Sequence, residues 1–434
     1  MISLLFTALS IGLLLLQMRG DKRRGEFNIL NVSYLFQIYY IIQLPLSSCF
    51  AELFGLRRID NRITAFVSNH TRLDVLILSF VGHLCFVLGS YISRKYSIKS
   101  HASKRKWERG RVRLLVLMFL LLGYFLFINL MRSFGGIGSF LLQMEYWRNV
   151  GLIGKGTYII GIARVMPISI AIYMIFYKDE IRERRKLVGL IAVVIICFVP
   201  ILVLGFRSYV FNVLITMVAV YHYIIRPIKP KFFAIGIAVF AVFFSFYSLA
   251  RSIGDYGIGT LLSVVSNFGA TFQKLLLRSR GSEVVSIAFD SINSGVGHRF
   301  SFDLITNPIT NLIPRSIWMN KPESMTTLFP RTFFGTYGIY SGISPTCIGE
   351  LYWEWGSVGV CIGMLIMGCM IRIFQNGLFR NKMDENHMIT YVVFIWPITL
   401  LSETIAGALN IIVILIIVLF GIKAFLNIRI GRVG

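Results

Sequence analysis

Runs of about 20 apolar residues recur along the whole of this chain, which has 434 residues, 56% of them hydrophobic. A soluble domain is apolar in roughly 45–50% of its residues. Each run is long enough, as a helix, to cross the roughly 30 Å hydrocarbon core of a bilayer. Backbone groups in lipid must bond within their own segment, and no part of the sequence alternates as barrel strands do. The sequence therefore predicts an all-α, polytopic integral membrane protein.

Hydropathy places about eleven transmembrane helices along the chain. They cover residues of about 2–18, 27–45, 73–93, 114–131, 157–177, 187–205, 207–225, 232–250, 356–374, 388–403 and 408–426. We find no internal repeat and no separate soluble domain, so residues 1–434 are expected to form a single transmembrane domain. Its longest connection, residues 251–355, is expected to be a large external loop.

The formal net charge of +24 is distributed in a way that predicts the topology. Most basic residues lie in short loops that alternate with poorly charged ones, as the positive-inside rule describes. Residues 94–113 alone hold nine Lys and Arg residues. We therefore expect the N-terminus outside and the C-terminus in the cytoplasm. Because this bias accounts for most of the charge, we expect no nucleic-acid partner.

Residues 252–340 are the only long stretch suited to water, and they carry seven Lys and Arg residues. Polar groups thus collect at one membrane face, whereas a transporter usually keeps its chemistry at the bilayer midplane. Arg315 and Lys321 flank Trp318 between two prolines that fix the backbone. An aromatic face suits a sugar ring as well as a membrane interface. Arg331 is a further candidate for substrate binding, with a solvated surface charge as the alternative.

Three arginines near the outer face are candidate phosphate ligands, because a guanidinium binds phosphate oxygens bidentately and stays charged when half buried. Arg164 lies about eight residues into its span, roughly 12 Å below the outer boundary, and Pro167 is expected to kink that helix. A buried pair with Glu403 is the alternative for Arg164. Arg207 follows a tight turn, where a headgroup anchor is the alternative. Arg251 ends the next span on the same face.

Few side chains on the outer face are suited to act as a general base. Glu350 precedes a Gly-rich span, and Glu354 follows it by one helical turn. The alternative for both carboxylates is to neutralise neighbouring arginines. His298 is the only histidine of the large loop, and a structural role is its alternative. The looser candidates are Asp290, Asp303 and Glu323.

The sequence contains no H-E-x-x-H motif, no EF-hand loop and no Cys/His cluster, and its six cysteines form no C-x-x-C pair. The glycines of residues 151–156 lack the spacing and the Ser or Thr of a P-loop. We therefore expect no tightly held metal ion and no cofactor. Cys49 and Cys347 would both lie near the outer face, and whether they pair is left open.

Three short motifs together carry a resemblance to a known family. They are the turn Gly205-Phe206-Arg207-Ser208, the element from Pro314 to Pro322 with its Trp and Lys, and the run from Ser344 to Tyr352 that leads to Gly356 and Gly359. In this order they resemble the Wzy-type oligosaccharide repeat-unit polymerases, which make bacterial O-antigen and capsule. The resemblance covers residues of about 130–375. Members are often drawn with twelve spans and both ends inside, so eleven spans are a departure.

The resemblance implies a GT-C-like, metal-independent glycosyltransferase of the bacterial cytoplasmic (inner) membrane. It would move a sugar chain from undecaprenyl pyrophosphate onto a second lipid-linked repeat unit at the outer face. The residues expected to contact pyrophosphate or sugar are Arg164, Arg207, Arg251, Arg315, Trp318, Lys321 and Arg331. Glu350 is the first choice for the general base that such a reaction needs, and His298 is the second. The expected partners are membrane lipid, a chain-length regulator and a flippase.

Two other functions fit parts of the same pattern. A flippase or exporter of lipid-linked sugars would also need arginines in a central cavity, but it would not need a fixed external loop with a carboxylate. An O-antigen ligase shares the external arginines and differs in its acceptor. The sequence leaves both alternatives open.

Overall fold

The computed structural model describes residues 2–53, 69–97, 107–142, 156–229, 232, 235–236, 281–313, 317–341, 343–379 and 384–427. Throughout these residues the regular structure is helical and contains no strand, so the predicted all-α class is confirmed.

The N-terminal half of the described chain forms α1 (Ile2–Arg23), α2 (Val32–Gln43), α3 (Pro45–Leu53), α4 (Asn69–Ile92), α5 (Arg109–Arg132), α6 (Ile137–Leu142), α7 (Gly156–Ile160), α8 (Ile168–Phe176), α9 (Arg184–Leu204) and α10 (Arg207–Val220). The C-terminal half forms α11 (Gly281–Ser291), α12 (Asp303–Thr310), α13 (Met325–Ser341), α14 (Thr346–Phe379), α15 (Glu385–Leu400) and α16 (Ile405–Asn427). Turns of π-helix follow α7, α10 and α11, at Gly161–Val165, Tyr221–Ile225 and Ile292–Val296.

Eight helical segments among the described residues are long and apolar enough to cross a membrane. They are Ile2–Arg23, Thr71–Lys95, Arg109–Arg132, Tyr158–Phe176, Arg184–Leu204, Ser208–Ile225, Thr346–Phe379 and Ile405–Leu426. Each contains or largely overlaps one of the predicted spans. The chain is therefore a multi-pass membrane protein.

Three predicted spans do not appear among these eight. The segment 27–45 is divided, because α2 ends at Gln43 and Pro45 begins α3; proline has no N–H for an ongoing helix and is favoured at a helix start. The segment 388–403 corresponds to α15, whose 16 residues measure about 24 Å, less than the roughly 30 Å core. The segment 232–250 lies almost entirely outside the described residues.

The chain divides into two compact units. Unit 1 comprises residues 1–100, 273–381 and 397–413, and unit 2 comprises residues 101–272, 382–396 and 414–434. Both α15 and α16 therefore contribute residues to each unit.

The backbones of α4 and α14 touch in the centre of unit 1. A side chain on Gly89 would collide with the carbonyl oxygen of Leu365, and one on Gly368 would collide with that of Phe86. Small residues at a helix interface allow this close approach, which is a common way to join helices in membranes. The two glycines therefore hold α4 and α14 together as the scaffold of unit 1.

Helix α14 is a hairpin of two limbs. It is interrupted at Trp355 and Gly356, and Gly356 adopts φ +65° and ψ −160°. Ile348 and Val360 would both contact a side chain on Gly82, at 3.0 Å and 3.1 Å, although twelve residues of straight helix span about 18 Å. The first limb (residues 346–354) therefore folds back against the second limb (residues 357–379).

Gly359 and Gly363 form a G-x-x-x-G pair, a motif of close helix packing, and its packing partner is in the same helix. Leu351 of the first limb lies against both Gly359 and Gly363 of the second limb. The absence of a side chain at these two positions lets the limbs approach closely.

Helix α11 comes from the predicted external loop but is largely buried. Its residues from Gly281 to Ala288 are covered, and the helix contacts α3, α4, α13 and α14. Ser282 lies 3.0 Å from the hydroxyl of Ser47 in α3. This part of the loop is thus integrated into the helical core of unit 1.

In unit 2 the predicted kink near Pro167 is present as the π-helical turn and a short break before α8. Proline lacks the N–H that would bond the carbonyl four residues earlier, that of Ala163. The side-chain amide of Asn212 donates to this carbonyl at 3.4 Å. The neighbouring helix α10 thus compensates for the missing backbone bond.

Candidate functional site

The break in α14 is capped by a segment that lies about 50 residues earlier in the chain, between α11 and α12. The non-helical angles at Trp355 and Gly356 interrupt the ladder in which carbonyls bond the N–H four residues ahead. The carbonyls of Tyr352, Trp353 and Glu354 accept hydrogen bonds from three successive residues. Their donors are His298 Nδ1 at 2.8 Å, Arg299 N at 3.0 Å and Phe300 N at 2.9 Å. We call residues 298–301 the capping segment.

Left-handed backbone angles on either side of His298 shape the capping segment. Gly297 has φ +72°, a conformation that glycine adopts without steric cost, and Phe300 has φ +51°. These angles turn the chain so that it runs along the exposed end of the first limb of α14.

The tautomer of His298 is fixed by this contact. A carbonyl oxygen only accepts, so Nδ1 must carry the hydrogen that it donates to Tyr352. In the neutral imidazole the lone pair then lies on Nε2. Nε2 has no hydrogen-bond partner among the residues described, and the ring is half-buried between Phe300 and Tyr352. The geometry presents a proton acceptor of fixed orientation.

Glu350 lies in the first limb of α14 and is fully buried. Its carboxylate accepts hydrogen bonds from the backbone N–H groups of Ile405 and Ala406 and from the hydroxyl of Thr404, the last at 2.7 Å. The same hydroxyl accepts from the N–H of Gly407 at 3.1 Å. Together, Glu350 and Thr404 satisfy the first three N–H groups of α16. A helix N-terminus favours such an anion.

Glu354 is also fully buried but has different partners. Its Oε2 accepts from Ser301 N at 3.0 Å and Ser301 Oγ at 2.6 Å. Arg299 places one guanidinium nitrogen 3.7 Å from Oε1 of Glu354 and forms a second ion pair with Asp303. Arg299 also lies over the ring of Trp353, at 5.1 Å from its centroid. These contacts fix the capping segment to the first limb.

The sequence did not single out Arg299 and Ser301, because their shared partner Glu354 is more than 50 residues away along the chain. The available signal was the glycine pair at positions 295 and 297, which marks a sharp change of chain direction just before the capping segment.

Three further predicted substrate residues also belong to unit 1. Arg331 pairs with Glu323 at 2.6 Å and is half exposed. The ammonium of Lys321 donates to the carbonyl of Ile313 at 3.1 Å, which closes the loop between them. Trp318, which precedes Lys321 by three residues, is 38% exposed.

Arg164 lies in unit 2, in the π-helical turn, and only 5% of it is exposed. Its guanidinium carbon is 4.9 Å from the ring centroid of Tyr209 and 5.5 Å from that of Trp396, so two aromatic faces stabilise its charge. Glu403, the alternative partner considered from the sequence, belongs to unit 1 and accepts from the hydroxyl of Tyr39 at 3.0 Å.

The remaining predicted phosphate ligands are incompletely described. Arg207 is the first residue of α10, and its side chain lies outside the description. Arg251 and Arg315 lie outside the described residues. The joint binding of pyrophosphate by Arg164, Arg207 and Arg251 therefore stays a prediction.

In the ranges that the structure covers, no group of three or more His, Cys, Asp or Glu side chains is arranged to hold a metal ion. All six cysteines are free, and Cys49 and Cys347 are buried without forming a disulfide.

Comparison with known proteins identifies a family. The family model for O-antigen polymerases matches residues 32–417, which is most of the chain and includes α2 to most of α16. The search of curated proteins found no significant match, and the search of solved structures found none either.

Proposed function

The chain belongs to the O-antigen polymerase family, a family of glycosyltransferase type, and from this premise we propose its reaction. It joins undecaprenyl-pyrophosphate-linked oligosaccharide repeat units into O-antigen or capsular polysaccharide. The transfer is en bloc and takes place at the outer face of the bacterial cytoplasmic membrane. The family match over residues 32–417 is the observation that carries this proposal.

The reaction requires one proton acceptor and one stabilised leaving group. A hydroxyl oxygen of the acceptor sugar bonds to the anomeric carbon of the donor chain. The bond between that carbon and the pyrophosphate oxygen breaks, and its electron pair stays on the departing lipid pyrophosphate. The proton of the hydroxyl passes to a general base.

We assign this base to His298. Its Nε2 carries a lone pair, and its ring is held by the carbonyl of Tyr352 in the orientation that keeps Nε2 available. Glu350 was the first choice from the sequence, but both of its oxygens accept hydrogen bonds from the start of α16. In this proposal Glu350 is a positioning residue that fixes the first limb of α14, which in turn supplies the carbonyl that orients His298.

Arginines stabilise the leaving pyrophosphate in this proposal, without a metal ion. Guanidinium groups placed where charge develops are an effective form of transition-state stabilisation. Arg164 supports the assignment, since a cation inside a membrane-spanning helix is costly and marks a functional site by default. Two aromatic rings hold its guanidinium in place. Arg207 and Arg251 complete the proposed pyrophosphate site, while Trp318 and Lys321 contact sugar.

The proposal can be tested in a strain that lacks the gene and is complemented with variants. The polysaccharide of each strain is displayed on a gel. We expect a ladder of polymer for the wild type and one repeat unit per lipid for His298→Asn. Asparagine can still donate to the carbonyl of Tyr352 but has no group at the position of Nε2. Purified His298→Asn should lose about 10²–10⁴-fold in turnover per folded molecule.

The control is His222→Asn, the same substitution at a histidine of unit 2, which should keep the ladder. A normal ladder from His298→Asn would remove the base assignment and leave the function intact. A deletion strain with no lipid-linked unit at the surface would instead indicate a flippase or ligase and contradict the proposed function.

A further inference from the structure

A stripe of exposed apolar side chains runs along α12, inside the predicted external loop. Phe302, Ile305 and Ile309 are 68%, 57% and 63% exposed, and their spacing of three and four residues places them on one helix face. Leu304 and Asn307, on the opposite face, are 2% exposed and pack into unit 1. The stripe continues in the exposed residues Leu312 and Ile313, just after the helix.

Water is an unfavourable environment for such a surface. Burial of apolar surface is favourable in proportion to its area, and soluble monomers rarely expose a continuous apolar patch of more than a few hundred Å². Scattered single residues need no explanation, but a helical stripe that continues beyond the helix indicates a partner.

The position of α12 identifies that partner. Asn311, just after the helix, donates from its side-chain amide to the side chain of Asn410 at 3.1 Å. Asn410 is five residues into α16, so it lies about 7–8 Å along a membrane-spanning helix from its first residue. On the same side of unit 1, a side chain on Gly407 would contact Thr326 of α13 at 3.3 Å. The end of α12 is therefore beside a membrane span rather than above it.

We propose that α12, with the residues up to Ile313, is an interfacial membrane element. The stripe contacts the hydrocarbon chains of the outer leaflet, and the opposite face of α12 packs on unit 1. Amphipathic helices lie in the bilayer interface in this way, with the apolar face about 5–10 Å into the headgroup and acyl boundary. The capping segment, which directly precedes α12, is thereby held at the border between lipid and water. This inference concerns the membrane surface and does not depend on the proposed reaction.

Spin labels at single cysteines test the proposal in the full-length protein, reconstituted in vesicles of phosphatidylethanolamine and phosphatidylglycerol, with the native cysteines replaced by alanine. Labels are placed at Ile305 and Ile309, and the matched control is Ser294, an exposed polar position in unit 1. All three positions are on the surface, so the labels should leave the fold intact, as circular dichroism will show.

We expect collisions with oxygen, which is concentrated in lipid, to exceed collisions with a water-soluble nickel chelate at Ile305 and Ile309. The order should be reversed at Ser294. Nickel accessibility at Ile305 and Ile309 equal to that at Ser294 would place the stripe in water and overturn the proposal. Immobilised labels that neither reagent reaches would show that protein covers the stripe, and this outcome also overturns it.

Discussion

The carboxylate of Glu350 bonds the start of a helix that lies 55 residues further along the chain. Replacing Glu350 with alanine leaves two buried N–H groups without an acceptor, and each such group costs about 1–3 kcal/mol. Glu350→Gln keeps one oxygen acceptor and should cost less. We expect the thermal unfolding midpoint in detergent to fall more for Glu350→Ala than for Glu350→Gln.

Glu323→Gln is the matched control, because Glu323 forms only a partly exposed pair, which contributes little to stability. Equal midpoints for Glu350→Ala and the wild type would contradict the helix-capping role. Normal turnover by folded Glu350→Gln would show that Glu350 is not the general base. An inactive Glu350→Gln with an unchanged thermal midpoint would restore Glu350 as the base.

Asp21 is the centre of a buried ionic cluster in unit 1. It is 1% exposed and accepts from Tyr34 Oη at 2.6 Å, from Arg94 at 2.6 Å and from Arg372 at 3.0 Å. Glu26 bonds the same two arginines but is 36% exposed on its side chain. Removal of one partner from a buried pair is strongly destabilising, because an uncompensated charge stays behind.

We therefore expect Asp21→Ala to lower the free energy of unfolding by about 3–5 kcal/mol. The loss would be measured as reduced expression or a lower thermal midpoint. Glu26→Ala is the matched comparison, and its effect should be clearly smaller because water can replace the lost partner. Similar losses for the two variants would show that burial of Asp21 does not determine the strength of the cluster.

At the scale of single elements, the break in α14 depends on Gly356. Its φ of +65° with ψ of −160° belongs to a region that is essentially restricted to glycine. Gly356→Ala should cost about 1–3 kcal/mol and should shift the capping segment, so polymer length should fall together with stability. Gly421→Ala is the control, because this glycine of α16 has open space around it and no left-handed angle. A fully active and stable Gly356→Ala would show that the break does not need this conformation.

The sequence predicts the elements better than it predicts their partners. Hydropathy found the second limb of α14, since the predicted span 356–374 begins where the break lies. Hydropathy does not predict that the first limb folds back, because residues 346–354 are a mixture of polar and apolar residues before a span. Their contacts with Gly359 and Gly363 depend on the fit of side chains, which hydropathy does not measure. The predicted span 388–403 has the same length as α15, 16 residues, but begins three residues late, because α15 starts with the polar residues Glu385 to His387, which hydropathy excludes.

The candidate site shows the same limit. His298 and Glu350 were both identifiable from the sequence as titratable groups near the outer face. Their roles depend on partners 54 and 55 residues away, which no local pattern reveals. Likewise, Arg94 and Arg372 were counted toward the predicted cytoplasmic charge excess, but the count does not show that Arg372 is buried against Asp21.

At the scale of the whole molecule, the distribution of charge predicts that residues 94–113 are inside and that residues 251–355 are outside. A cysteine at Ser294, in a variant without native cysteines, should react with an impermeant thiol reagent in cells with a permeabilised outer membrane. A cysteine at Ser103, which lies outside the described residues, should react only after the inner membrane is opened. The reverse pattern would invert the topology and place the capping segment in the cytoplasm.

The contact between the capping segment and α14 also constrains the order of events during synthesis of the protein. His298 leaves the ribosome before Tyr352, the residue whose carbonyl it bonds 54 residues later. At about 5–20 residues per second this interval lasts roughly three to eleven seconds. During that time the helix end that the capping segment bonds does not yet exist. The polar groups of the segment therefore stay in water or at the insertion machinery. Nascent chains arrested before residue 352 should therefore expose this segment to protease, and protection should begin only when both limbs of α14 have been inserted.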